Sequence, residues 1–194
     1  PRVNGVPAVG ELELKARVDD PGALETALTG AGAELVFRGA MIDRRYDQHG
    51  TLAARDEVLR LRIYRPADGD PPRGVLGWKG PVSVNGGYKH RDEYETPVAA
   101  VDATLVLLER LGYAVVMRID RETAEFRFGG AVVRIEWYPE MDVLVEIEGA
   151  PAAIERAVQA TGLPRDRFVP EALPHFVAAY EQRTGRSARL AADA

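Results

Sequence analysis

Charged and apolar residues alternate along much of the chain. Glu11-Leu12-Glu13-Leu14-Lys15-Ala16-Arg17-Val18 alternates without a break, and Leu59-Arg60-Leu61-Arg62-Ile63-Tyr64 and Val145-Glu146-Ile147-Glu148 repeat the pattern. A period of two reads as a β-strand with one apolar face and one charged face. Residues 132–137 and 91–95 are further strand candidates, and shorter pieces around 76–79 and 125–128 are expected to pair with them. Between the strands lie helix signals. Asp20-Pro21 supplies an N-cap and a first-turn proline, with Gly30 and Gly32 behind them. Residues 102–111 form a second helix stopped by Gly112, and Pro151 opens a third stopped by Gly162. A fourth amphipathic stretch covers 171–184. Three times a Glu-x-Glu strand (Glu11/Glu13, Glu93/Glu95, Glu146/Glu148) leads into a helix that ends at glycine, with no fixed period. This is one strand–helix idea reused within an α+β domain. The boundaries expected are a lead over 1–9, a single domain over 10–184 and a disordered tail over 185–194. The irregular stretch 66–74 is a loop between strands rather than a linker.

Composition narrows the chemistry. At 194 residues, with 46% hydrophobic and 28% charged, the chain suits one soluble domain with a substantial core. No run approaches the ~18–20 apolar residues of a membrane helix, and PRVNGVPAVGELEL lacks the basic start and apolar run of a secretory signal. A cytoplasmic protein without a membrane partner is expected. The absence of cysteine removes disulfides, thiolate metal sites and thiol nucleophiles. Three scattered histidines (His49, His90, His175) show no ligand spacing, and the two serines, Ser83 and Ser187, sit in loop-like sequence. Acyl transfer through a side chain is therefore disfavoured. A net charge of −5 argues against a nucleic-acid partner.

The charge distribution is more informative than its sum. Side chains at i and i+2 share a face, so Glu11, Glu13, Lys15 and Arg17 line one, Arg60 and Arg62 another, Glu146 and Glu148 a third. A solvated face usually mixes in Thr, Ser and Gln; these carry almost only Arg, Lys and Glu. Like charges two residues apart repel unless an opposite charge lies between them. A divalent cation does this for carboxylates, and a polyphosphate does it for guanidinium groups. Closing the sheet into a barrel would gather these faces in its lumen, with helices on the apolar exterior formed by Leu12, Leu14, Leu59, Leu61, Ile63, Val145 and Ile147.

These segments, in this order, resemble the CYTH domain of the triphosphate tunnel metalloenzyme superfamily, which includes class IV adenylyl cyclases, thiamine triphosphatases and inorganic tripolyphosphatases. Glu11-Leu-Glu13-Leu-Lys15 resembles its opening ExExK signature. Asp43-Arg-Arg-Tyr46-Asp47 with Leu52-Ala-Ala-Arg55 resembles the segment before its Arg-rich strand, and Leu59-Arg60-Leu61-Arg62 that strand. Trp78-Lys79-Gly80-Pro81, Arg91-Asp-Glu93-Tyr-Glu95 and Val145-Glu146-Ile147-Glu148-Gly149 resemble the lysine, R-x-E-x-E and closing acidic strands, with Glu136 where the family usually has aspartate. The likeness covers about 10–182.

The resemblance implies an eight-stranded antiparallel closed barrel with a charged lumen that binds a triphosphate-bearing small molecule. Glu11, Glu13, Glu146 and Glu148 would hold Mg2+ or Mn2+, with Glu136 and Glu95 assisting. Lys15, Arg60, Arg62, Lys79, Arg91 and Arg121 would clamp the phosphates, and Lys15, Arg62 and Glu136 would act at the reacting phosphate. The chain departs from the family at three places. Thr123 stands where a second basic residue is usual, Arg45 replaces a tyrosine, and Pro7-Ala8-Val9-Gly10 replaces a His-Phe pair of many cyclases. Arg17, Lys89 and Arg134 read as surface charges, and Trp78, Trp137 and Tyr138 as packing aromatics. The first functional reading is metal-dependent triphosphate hydrolysis. The alternatives are cyclisation of ATP to cyclic AMP and non-catalytic binding of polyphosphate or nucleotide. A homo-oligomer is compatible with the sequence and not argued by it.

Overall fold

The computed structural model describes residues 9–192, with side chains from Leu12 onward. The elements are β1 (Val9–Val18), α1 (Pro21–Gly30), β2 (Glu34–Asp47), β3 (Val58–Pro66), β4 (Arg73–Lys79), β5 (Ser83–Asn85) and β6 (Tyr88–Val98). They continue with α2 (Val101–Arg110), β7 (Ala114–Phe128), β8 (Ala131–Trp137), β9 (Val143–Gly149), α3 (Pro151–Thr161) and α4 (Leu173–Thr184). Strands run in the order β1-β9-β8-β7-β2-β3-β4-β6, and β6 pairs back onto β1. The result is a closed eight-stranded antiparallel barrel, with β5 added as a short hairpin on β6. Closure removes the sheet edges that would otherwise leave backbone groups unpaired.

The apolar half of each alternation faces outward. Leu14, Ala16, Val133, Ile135, Val145 and Ile147 form one surface beneath Leu24 and Leu28 of α1 and Ile154, Ala157 and Val158 of α3. Leu108 of α2 covers Tyr46 and Leu61. Leu173 and Phe176 of α4 pack with Ile119, Tyr138 and Leu144. The helix ends are those the sequence announces. The Asp20 carboxylate accepts a hydrogen bond from the Ala23 amide at 2.9 Å, and Gly162, at φ 72°, stops α3 in the left-handed region. The strand–helix repeat is realised as β1–α1, β6–α2 and β9–α3.

Two long strands exceed what the alternation shows. β2 spans 14 residues and β7 spans 15, and they pair along most of their length. Their periodicity is broken by register shifts between Leu35/Phe37 and between Arg45/Tyr46. Gly39 adds a close approach, since a Cβ there would lie 2.1 Å from the Arg65 carbonyl oxygen. The C-terminal segment, expected to be disordered, is tied down through residue 192. Arg189 forms a β-bridge with Glu140, and the Asp120 amide donates to the Leu190 carbonyl at 2.7 Å. β8 pairs with β7 only from Glu122 onward, so the tail satisfies β7 backbone that β8 leaves open.

Candidate functional site

The inward half of the alternation is charged, and the structure brings it together. A cavity of about 540 Å³ enters the barrel at the rim where β2 ends and β3 begins. Its wall includes Lys15, Arg45, Arg60, Arg62, Lys79, Lys89, Arg91 and Arg121, together with Glu13, Asp43, Glu136 and Glu146. Strand direction places the other end of the lumen at the start of β2 and the end of β3. There Phe37, Met41, Tyr64 and Val75 pack together, with the Arg73 guanidinium 4.1 Å from the Tyr64 ring centre.

Register explains the convergence. Lys15 on β1 lies opposite Glu146 on β9, Glu13 opposite Glu148, and on β6 Lys89 lies opposite Glu13. Lys15 contacts both Glu13 and Glu146. Lys89 reaches the Glu13 carboxylate at 2.5 Å. Arg60 binds Glu95 at 3.0 Å and Glu93 at 3.4 Å, while Lys79 also meets Glu93. Arg62 lies 3.5 Å from Asp43 and 3.8 Å from Glu95. Arg121 pairs with Glu136 at 2.7 Å, and the Tyr138 hydroxyl donates to Glu136 at 2.6 Å. Arg91 pairs with Asp56 at the mouth, at 2.6 Å. The like-charge repulsion inferred along single strands is thus offset largely by partners on neighbouring strands.

Glu13, Glu146 and Glu148 offer carboxylate oxygens that all lie within 4.8 Å of one another. Such a hard-oxygen set fits Mg2+ or Mn2+. A cation entering it competes with Lys15, Lys89 and Arg134, which already contact these carboxylates. Burial would raise the Glu13 pKa, but Lys15 and Lys89 override it and hold the carboxyl down at about 2. Burial of Glu148 is likewise overridden, by Arg134 and Lys79, again to about 2. Both are therefore ionised at neutral pH and ready to act as ligands. Burial also opposes ionisation of Glu136, and Arg121 and Lys15 outweigh it, lowering its pKa.

Two of the expected ligands lie elsewhere. Glu95 sits with Arg60 and Arg62, and Glu136 with Arg121 and Tyr138, so both belong to the basic wall rather than to the carboxylate cluster. Glu11 pairs with Arg91 through the backbone register, and its side chain lies outside the described residues. Three readings are corrected. Arg134 is no surface charge: it is buried in the lumen and binds Glu146 at 2.6 Å, Glu125 at 3.1 Å and Glu148 at 3.4 Å. Lys89 lines the cavity, and Tyr138 does so as a hydrogen-bond donor rather than as packing alone. The i, i+2 rule could have found all three, since Arg134 and Tyr138 flank Glu136 at two residues and Lys89 precedes Arg91 by two. Thr123 does enter the lumen, buried and with its hydroxyl unpartnered. Arg17 is partly exposed and pairs with Asp19, as a surface charge should.

No family model and no curated protein matches the chain. Solved structures do. A candidate adenylate cyclase from Vibrio parahaemolyticus superposes with a TM-score of 0.74 at 20% identity, over 88% of this chain and 99% of that one. PH1819 from Pyrococcus horikoshii gives 0.68 at 23% identity, over 91% and 99%. HpAC1 from Hippeastrum, a candidate adenylyl cyclase described as having a dominant triphosphatase activity, gives 0.63 at 18% identity, over 94% and 100%. Likeness at this identity speaks to architecture, and it agrees with the closed barrel and the external helices. In architecture, the chain is similar to these structures, a closed antiparallel barrel with helices outside.

Proposed function

We propose that the tunnel binds the phosphate chain of a triphosphate-bearing small molecule and hydrolyses it with the help of Mg2+ or Mn2+ held by Glu13, Glu146 and Glu148. The observation that carries this reading is the joining, in one lumen, of a wall of basic side chains with a cluster of three carboxylates. A divalent cation supplies Lewis-acid charge at a phosphoryl oxygen. The chain's own part is positioning. Lys15, Arg60, Arg62, Lys79, Arg91 and Arg121 bind and orient phosphate oxygens, and their fixed charges offset the charge that develops on transfer. Arginine forks suit two phosphate oxygens at once, which favours Arg60, Arg62 and Arg121 as orienting groups. Glu136, kept ionised by Arg121 and hydrogen-bonded by Tyr138, fixes the Arg121 guanidinium within the wall. No side chain need act as a covalent nucleophile, in keeping with a chain that has no cysteine. No helix among the described residues is long and apolar enough to cross a membrane.

The test is a panel of tripolyphosphate, thiamine triphosphate and ATP, each with Mg2+, with Mn2+ and with excess chelator, read for phosphate and cyclic AMP together. Metal-dependent phosphate release is the expected result. Cyclic AMP as the main product from ATP, with negligible phosphate from any substrate, would make the protein a cyclase. Undiminished turnover in chelator would overturn the metal assignment.

A further inference from the structure

Every cation of the cavity wall but one has a carboxylate partner. Lys15, Arg60, Arg62, Lys79, Lys89, Arg91 and Arg121 are all paired. Arg45 is the exception: among the described residues it has no ion-pair partner, and its Nε is buried without a hydrogen bond. It lines the cavity on β2, opposite Arg60 of β3 and Met117 of β7. Burial lowers its pKa; Asp43 works against this, while Arg60, Arg121 and Arg62 add to the depression. Asp43 is itself shared with Arg62, and neither of its oxygens receives a hydrogen bond. Among the charged groups acting on Arg45, three cations thus stand against the single carboxylate of Asp43. Arg45 is partly exposed to the cavity with its Nε buried, and a guanidinium so placed is stabilised by an anion that reaches it.

The missing partner has a definite place. β2 runs towards the mouth, so Arg45 lies outward of Asp43, and Met41 lies inward. Further inward, Thr123 stands uncharged where a second basic residue was expected, in register with Gly39 and Glu136 and six residues along the β2 register from Arg45. Deeper cations such as Arg134 are held by carboxylates, whereas Arg45 stands near the mouth without one. From this we infer that Arg45 is a substrate-binding residue for the phosphate group nearest the mouth, and that it sets the preference for three phosphates over two. A shorter chain held by the paired wall at Arg62, Arg121 and Lys15 would not extend to it. The inference rests on the triphosphate-binding reading above and adds to it a residue and a chain-length rule.

The experiment compares the full chain with Arg45→Met, which keeps the length of the side chain and removes its charge, by calorimetric titration with tripolyphosphate and with diphosphate. Tripolyphosphate affinity should fall about tenfold or more, as for a lost charge-assisted contact, and diphosphate affinity should change less than about threefold. Melting of the ligand-free variant should occur at the same or a higher temperature, because a part-buried cation without an ion-pair partner has been removed. Arg45→Lys should recover part of the tripolyphosphate affinity. Should Arg45→Met not fold, Arg45→Gln carries the same comparison. Equal losses for both anions, or no loss for either, would overturn the role of Arg45 while leaving the tunnel reading intact. A wild-type protein that binds neither anion would overturn the tunnel reading and the inference with it.

Discussion

Leu14 and Lys15 are neighbours on one strand, and both are shielded from water, at 0% and 6% exposure. Their burial has different causes and different consequences. Leu14 is covered by α1 and α3 in a continuous apolar layer. Lys15 is enclosed by the barrel itself and stabilised by Glu13 and Glu146. The outer layer is satisfied within the protein, since apolar groups need only contact. The cations of the described cavity wall are satisfied in pairs, with Arg45 left over. Low exposure alone therefore does not separate core from site; what separates them is whether the buried groups require a partner that a ligand can supply.

Substitutions on the two sides of β1 should part company. Glu13→Gln removes a cluster charge while keeping the shape. It should lower turnover at least ~100-fold, since several kcal/mol of charge stabilisation are lost, and raised metal concentration should partly restore it in steady-state assays. Leu14→Ala should instead cost about 2–5 kcal/mol of stability by leaving a cavity under the helices, seen in denaturant melts, with little change in turnover of the folded fraction. If both variants changed stability alone, the inner face would be structural and the contrast would collapse.

Arg62→Lys tests the inner layer more finely. It keeps a charge beside Asp43 but loses the two-pronged fork. Tripolyphosphate affinity should drop roughly tenfold, and extra metal should not help, unlike for Glu13→Gln. The smallest effect concerns pH. Glu13 and Glu148 titrate near 2 in the folded chain against an ordinary value of 4.5. Their pairing therefore stabilises the protein above about pH 4.5, and that contribution is lost as the pH falls towards 2. Thermal melts across this window should show a steeper loss for the wild type than for Glu13→Gln. Parallel curves would mean that Glu13 is not held by Lys15 and Lys89 in solution.

Much of this was legible in the residues. The alternation of β1, β3 and β9 assigned each side chain to a face, because a strand's period of two leaves no choice. Asp20-Pro21, Gly112 and Gly162 marked helix ends through local backbone chemistry. Carboxylates and guanidinium groups already pointed to cations and phosphate. Other features depended on chain segments distant in sequence. The extent of β2 and β7 was hidden by register shifts that only pairing defines, and the ordered tail depends on backbone that β8 leaves open. Arg134 and Lys89 looked like surface charges because a strand's own sequence says which face a residue takes, not whether that face meets water or a closed lumen. Which cations are paired was likewise settled by closure, since Arg60 finds Glu93 and Glu95 more than thirty residues away. Period and residue chemistry are local and written in the chain. The charge balance of the lumen is a sum over eight strands, and only the closed barrel brings those charges near enough to be added.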